Sequence, residues 1–275
     1  MRRSQRIAAI TKWLVERPHH VFSLTDFSQQ FAAAKSTLSE DLAVIRQTFS
    51  ELGMGKIQTI AGAAGGVRYV PDLHSTELLR RIEKLCQKLA EPQRVLPGGF
   101  IYLNDLSACP TSLGEIGEIF ASPFWERNPQ YVVTVETSGI PIALMTARSL
   151  NIPLVVVRRI SRLTEGPVLT MNYVSGSTKR VETMSLSRRD LPTKSRVLIV
   201  DDFMKAGGTL RGLVDLMAEF ECEVVGKGVL IETAEPAKKL VTDYLSFIRL
   251  TNVDESDLQV LVEPADWIKE SIPQL

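Results

Sequence analysis

Val197-Leu198-Ile199-Val200-Asp201-Asp202-Phe203-Met204-Lys205-Ala206-Gly207-Gly208-Thr209 is the stretch on which the fold turns. Four apolar residues in a row predict a buried strand, two acids follow it, then a loop of small residues. Apolar spacing from Thr209 to Phe220 predicts a helix. Each part suits a phosphorylated sugar. Backbone N–H groups of the loop and of the helix start can enclose a phosphate. Gly207 and Gly208 leave room for close approach. Thr209 can cap the helix and give its hydroxyl to the same phosphate, while Asp201 and Asp202 can accept hydrogen bonds from vicinal ribose hydroxyls. No Gly-Lys-Ser/Thr follows, so this is not a Walker loop, and the Gly-x-Gly-x-x-Gly dinucleotide fingerprint is absent.

On either side, buried strands alternate with helices. Tyr131–Val135 predicts a strand that runs into Glu136-Thr137-Ser138-Gly139 and a helix over 142–150. Leu154–Val157 predicts another, ending in Arg158-Arg159, of which alternation points only one into a pocket. Glu223–Ile231 gives a further strand. Continuous apolar strands flanked by helices imply a parallel sheet covered on both faces, with ligands bound outside the carboxyl ends. Segment 160–190 is long and polar; Val168–Val174 and Val181–Leu186 can pair as a hairpin around Ser175–Lys179, by itself a plain surface hairpin. Upstream, a helix from Ser75 carries Leu78, Leu79, Ile82, Leu85 and Leu89 on one side and ends before Pro92. It joins two domains or packs between subunits. Phe100–Leu103 predicts a short strand and 113–120 a helix.

The first 70 residues read differently. Ile7, Ile10 and Leu14 fall at helical spacing, with Ser4 as cap and Pro18 as stop. Ser23-Leu24-Thr25-Asp26 resembles a capping box for a second, short helix. Ser36 offers the cap of a third, whose Leu38, Leu42, Ile45 and Phe49 form one apolar stripe. Two short strand candidates, Ile57–Ile60 and Val67–Val70, flank a glycine-rich tip. Three helices and a hairpin are the order of a winged helix-turn-helix, whose third helix enters the major groove of DNA. Ser36, Thr37 and Ser39 then lie near the groove, Lys35, Arg46 and Arg68 approach phosphates, and Arg2 and Arg3 belong to the same basic arm. A protein-recruiting winged helix is the competing reading.

With 275 residues the chain has room for roughly two domains at ~150 residues each. We place them at 1–72 and 73–275. Hydrophobic residues make up 44% and charged residues 23%, which excludes a disordered or collagen-like chain. No apolar run approaches the ~18 residues that span a bilayer, and no apolar stretch follows the basic N-terminus as in a secretory signal. The three cysteines, Cys86, Cys109 and Cys222, are scattered, which argues against a disulfide scaffold and for the cytoplasm. Three histidines give no zinc site. Net charge is zero, yet residues 1–70 hold nine Lys/Arg against five acids and the rest hold 23 against 27. A basic arm on an acidic body suits a polyanionic partner.

The 197–209 stretch closely resembles the phosphoribosyl-pyrophosphate (PRPP) motif of type I phosphoribosyltransferases, Glu136–Gly139 resembles the pyrophosphate loop of that family, and the resemblance makes segment 160–190 a hood that closes over the ligand. With the winged helix before it, the chain is similar over nearly its full length to the purine operon repressors of Gram-positive bacteria. The resemblance implies an α/β architecture, a winged helix followed by a phosphoribosyltransferase-like sheet domain. It implies a cytoplasmic homodimer that binds double-stranded DNA upstream of purine genes. It implies PRPP as effector rather than substrate, held by Asp201 to Thr209 and by Thr137, Ser138, Gly139, Arg158 and Arg159. Phe203 or Tyr102 is placed to stack a base of a competing nucleotide. No resident cofactor is required, and whether Mg2+ accompanies PRPP stays open. Repression or activation stays open too. Ala206 stands where many active enzymes have Thr or Ser, Phe203 and Lys205 are bulky for the loop, and Glu232–Pro236 offers no base-recognition pattern. These departures argue against transferase activity; an active purine phosphoribosyltransferase is the alternative.

Overall fold

In the computed structural model, residues 1–62, 65–160, 166–174 and 180–271 are described. The expected hairpin middle at Ser175–Lys179, and Ala63-Ala64 of the glycine-rich tip, lie outside them. Two compact units result: Met1–His74 with Arg148–Asn151, and Ser75–Ala147 with Ile152–Leu275.

The first unit contains α1 (Arg3–Glu16), α2 (Leu24–Phe31), α3 (Lys35–Glu51), β1 (Lys56–Ile60) and β2 (Gly66–Val70). β1 and β2 pair antiparallel, Gln58 opposite Arg68. The four apolar positions of the α3 stripe are all buried and pack with Ile10, Leu14 and Phe27. Trp13 closes that core over Phe22, Phe27 and Phe31, its ring 5.4 Å from that of Phe31. Ser23 caps α2 as expected: its Oγ accepts from the Asp26 amide at 3.0 Å, and its own amide donates to the Asp26 carboxylate at 3.1 Å. The other two caps differ from the expectation. α1 starts two residues earlier, with Arg2 at the cap position and its amide bonded to Gln5 Oε1, so Ser4 falls inside the first turn. α3 is preceded by Ala34; Ser36 lies in its first turn, and the Ser39 hydroxyl donates back to the Lys35 carbonyl at 2.9 Å.

The second unit begins with α4 (Ser75–Leu89), a short ladder of β3 (Val95–Leu96) and β4 (Phe100–Ile101), and α5 (Asn104–Ala108). Next come α6 (Pro110–Ala121), β5 (Tyr131–Val135), α7 (Gly139–Leu150) and β6 (Leu154–Val157). β7 (Val168–Val174) and β8 (Val181–Ser187) form the expected hairpin. β9 (Arg196–Met204), α8 (Gly208–Glu219), β10 (Glu223–Thr233), β11 (Leu245–Asp254), β12 (Gln259–Pro264) and α9 (Asp266–Glu270) complete the chain. α4 packs on β12, α6 and α9, inside this unit. The strand expected at Phe100–Leu103 ends at Ile101, because Tyr102 and Leu103 lead into α5.

Six strands make one sheet in the order β12-β11-β10-β9-β5-β6. All neighbours are parallel except the edge pair β11 and β12. From β5 the chain moves outward to β6, then returns across β5 to β9. The strand order reverses there, opening a crevice at the carboxyl ends of β5 and β9. α8 and the β7–β8 hairpin cover one face: Leu213, Leu216 and Met217 pack against Val133, Ile199 and Val229. Each such buried side chain contributes about 1.5–3 kcal/mol. The other face carries Phe120 against Phe247, ring centroids 4.5 Å apart.

Candidate functional site

β9 is longer than the apolar run that predicts it. Its ladder with β10 continues through Asp201 opposite Val229, Phe203 opposite Ile231 and Met204 opposite Glu232. The two acids therefore stand on a strand, fixed in register, rather than in a loop. Asp201 is 6% exposed; its Oδ1 accepts the Asp202 amide at 3.0 Å. The loop then turns through Gly207 at φ +84°, a left-handed conformation that glycine adopts without strain. Gly207 is the residue before α8, so the helix is capped by a glycine, and Thr209 sits in its first turn. That corrects the expected capping role of Thr209, whose place on the pocket wall is unaffected.

Residues 203–210 line a cavity of about 480 Å3 whose far wall is Phe100, Ile101 and Leu103. Asp201, Phe203 and Thr209 also line a second cavity of about 350 Å3, closed by Glu136–Gly139 and Arg159. The two cavities adjoin around Asp201 at the topological switch. Gly139 is needed there: a Cβ would lie 2.6 Å from Thr134 Oγ1 and 3.2 Å from Asp201 Oδ1. The loop thus packs directly against the acid.

Of the two arginines after β6, Arg159 lines the cavity; its amide donates to Glu136 Oε1 at 2.6 Å, and its guanidinium pairs with Glu182 on β8. Glu182 also accepts the Tyr173 hydroxyl at 2.7 Å. Arg158 points elsewhere, to Glu136 Oε2 at 3.3 Å, and its backbone pairs with Ser185, stapling the hairpin to the sheet. Tyr102 lines neither cavity, although its neighbours Phe100, Ile101 and Leu103 line the larger one.

Burial dominates the electrostatics of the site. Burial, and then the adjacent Asp202 carboxylate, push Asp201 well above the ordinary carboxylate range. Burial raises Asp202 as well. Burial also pushes Glu136 upward, but the Arg159 amide and the Arg158 guanidinium outweigh it and hold that carboxyl low. Among the described residues no cluster of three or more His, Cys, Asp or Glu could hold a metal ion.

A separate groove of about 460 Å3 runs beside α3 in the first unit. Lys35, Ser39 and Arg46 line it together with Ser23, Thr59 and Gly62. Ser36 is exposed one residue along and Thr37 is half-buried, neither lining the groove. Arg46 donates to the Ile57 carbonyl at 3.2 Å and to Thr59 Oγ1 at 2.7 Å, so it straps α3 to the hairpin. Arg68 donates to Gln58 Oε1 across the hairpin. Arg2 is exposed at the start of α1, and Arg3 reaches back to Asp41 on α3 at 3.2 Å. Asp41 has no solvent exposure and is held by Arg6 at 2.5 Å. The sequence alone gives no sign of this buried pair, since there Asp41 is only one of the five acids among residues 1–70.

Comparison with known proteins matches residues 2–71 to "Bacterial purine repressor, N-terminal" and residues 104–264 to "Phosphoribosyl transferase domain". The purine biosynthesis transcriptional repressor PurR of Bacillus subtilis (strain 168) is 43% identical over 268 residues, covering 98% of this chain and 94% of that protein. The purine biosynthesis transcriptional activator PurR of Lactococcus lactis subsp. lactis (strain IL1403) is 39% identical over 263 residues, covering 96% and 97%. Among solved structures, adenine phosphoribosyltransferase from Thermoanaerobacter pseudethanolicus shares the fold, with a TM-score of 0.52 and 20% identity over 61% of this chain and 99% of that one. Fold and site together define a winged helix-turn-helix protein with a phosphoribosyltransferase-type sheet domain. The high identity runs the whole length, across both units. The chain belongs to the family of bacterial purine biosynthesis transcriptional regulators. No helix among the described residues is long and apolar enough to cross a membrane.

Proposed function

We propose that this chain is a DNA-binding regulator of purine biosynthesis genes that senses PRPP in its sheet domain and does not turn it over. One observation carries the reading: paired acids on a strand end beside a glycine turn and a helix N-terminus, in a chain that begins with a winged helix. The 5-phosphate sits on the amides of Met204–Thr209, the ribose hydroxyls on Asp201 and Asp202, and the diphosphate on Thr137–Gly139 and Arg159. Glu136, Asp201 and Asp202 bring three carboxylates to a cavity whose wall, among the described residues, holds one arginine. A diphosphate therefore arrives best with Mg2+, carried by the ligand.

DNA meets the groove-lining Lys35 and Ser39 and the neighbouring Ser36, with α3 in the major groove and the hairpin, strapped to α3 by Arg46, along the backbone. The protein acts as a homodimer in this reading, matching a two-fold operator. PRPP controls DNA affinity to the extent that it binds the free and the DNA-bound states unequally. The sign of control follows from operator position; relatives named repressor and activator both occur. Against transferase activity stand Ala206 in the loop and the apolar wall of Phe100, Ile101 and Leu103, which offers a purine base stacking surface but no side-chain hydrogen bonds. Calorimetry with PRPP and Mg2+ tests the sensor: saturable binding that disappears in the Asp201→Ala/Asp202→Ala double variant is expected. Overnight incubation of PRPP with adenine, guanine, hypoxanthine or xanthine tests the enzyme alternative, and no nucleotide is expected.

A further inference from the structure

The phosphate loop is held from behind by a segment 30 or more residues further on. Lys239 Nζ donates to the Lys205 carbonyl at 2.7 Å and to the Thr233 carbonyl at 2.5 Å. The Leu240 amide donates to the Ala206 carbonyl at 2.9 Å. One residue on, the Gly207 carbonyl accepts the Arg211 amide at 2.9 Å in the first turn of α8. Three successive carbonyls of the loop are thus tied outward.

A peptide unit is planar, and in the trans form its N–H points opposite to its C=O. Among the described residues the cis bonds are elsewhere, at Glu136-Thr137 and Glu235-Pro236. Fixing the carbonyls of residues 205, 206 and 207 therefore turns the amides of Ala206, Gly207 and Gly208 the other way. These residues line the large cavity. A loop with one peptide flipped would present a carbonyl oxygen to an anion and repel it. The Leu240 and Arg211 bonds are backbone bonds that most side chains would permit. The Lys205 carbonyl is different, because side chains hold it: the Lys239 ammonium at 2.7 Å and, more weakly, the Thr233 hydroxyl at 3.4 Å.

We infer that Lys239 is a positioning residue for the phosphate cradle: its ammonium holds the Lys205 peptide with the Ala206 amide facing the ligand. The inference rests on the reading of residues 204–209 as the 5-phosphate site. Lys239 stands outside the cavity, touches no ligand in this reading, and acts through the loop carbonyl. Thr233, whose carbonyl shares the ammonium, ends β10 and so anchors the brace to the sheet.

Calorimetry with PRPP and with ribose 5-phosphate on K239M, K239R and K238M, beside the unaltered chain, tests it. Lys238 is an exposed neighbour of the same charge. Loss of a charge-assisted bond to the loop is expected to weaken both ligands about tenfold in K239M. K239R restores most of the affinity and K238M leaves it unchanged. Equal weakening in K238M, which would mark a mere loss of positive charge, overturns the inference, as does unaltered binding in K239M. A ligand-free readout separates this from the pocket reading. The amide resonances of Ala206 and Gly207 shift in K239M and return in K239R; resonances that stay put overturn the brace. An unaltered chain that takes up neither ligand refutes the pocket reading instead.

Discussion

Asp201 shows how much one residue's place determines. Its carboxyl is buried, borders Asp202 and has the Gly139 loop packed against it. The folded chain therefore keeps its proton above the ordinary range, whereas the unfolded chain loses it at about 3.9. Between those two values the native state binds more protons, so stability of the ligand-free protein falls as pH rises through that window. Asp201→Asn keeps the acceptor for the Asp202 amide and removes the charge. We expect it to raise the stability of the free protein at neutral pH by about 1–3 kcal/mol, flatten the pH profile, and weaken PRPP at least about tenfold. Thermal unfolding between pH 4 and 8, with and without PRPP, checks all three. At this scale the sequence was informative about chemistry and less so about position. Two acids beside two glycines lead to the proposed sugar-phosphate site, but Thr209 reads as a cap because nothing local tells Gly207 that it will turn left-handed. Lys239 could not be found at all: a lysine far along the chain becomes meaningful only when β10 brings it behind the loop.

Elements were legible where periodicity extends over several residues. The α3 stripe, the Ser23 capping box, β5, β6 and the β7–β8 hairpin all follow from patterns that the residues carry themselves. β9 was cut short at Val200 because acids read as a strand end; pairing with β10 carries it four residues further. Ser36 was a plausible cap that lost to Ala34, since helix starts depend on tertiary docking as well as on cap chemistry. The strap from Arg46 to β1 gives one expectation. Arg46→Met is expected to weaken DNA binding several-fold while leaving the slope of affinity against salt nearly unchanged, because a strut positions the hairpin rather than neutralising a phosphate. A slope reduced by about one would return Arg46 to the phosphate contacts. The hairpin gives another. Glu182 on β8 occupies the guanidinium of Arg159, which the proposed diphosphate site uses. Glu182→Gln frees it and is expected to tighten PRPP binding about fivefold, the value of a partly exposed ion pair. Unchanged or weaker binding would assign Arg159 a structural task only.

Across the whole molecule, the division into a basic helical arm and an acidic sheet body was visible in charge and pattern, because each unit has its own core and its own periodicity. Coupling between the units was not, since it resides in the energies of free and DNA-bound states and no single residue encodes it. In the proposed function one ligand joins the two: PRPP in the crevice at the carboxyl ends of β5 and β9, to which the winged helix responds. The most direct measurement is the affinity of the full chain for DNA from upstream of purine genes, by fluorescence anisotropy at fixed salt and Mg2+, across a PRPP series. A shift in Kd that saturates with PRPP, and is absent in the Asp201→Ala/Asp202→Ala double variant, is the predicted result. A Kd that stays the same at every PRPP concentration, or shifts equally in the double variant, would contradict it.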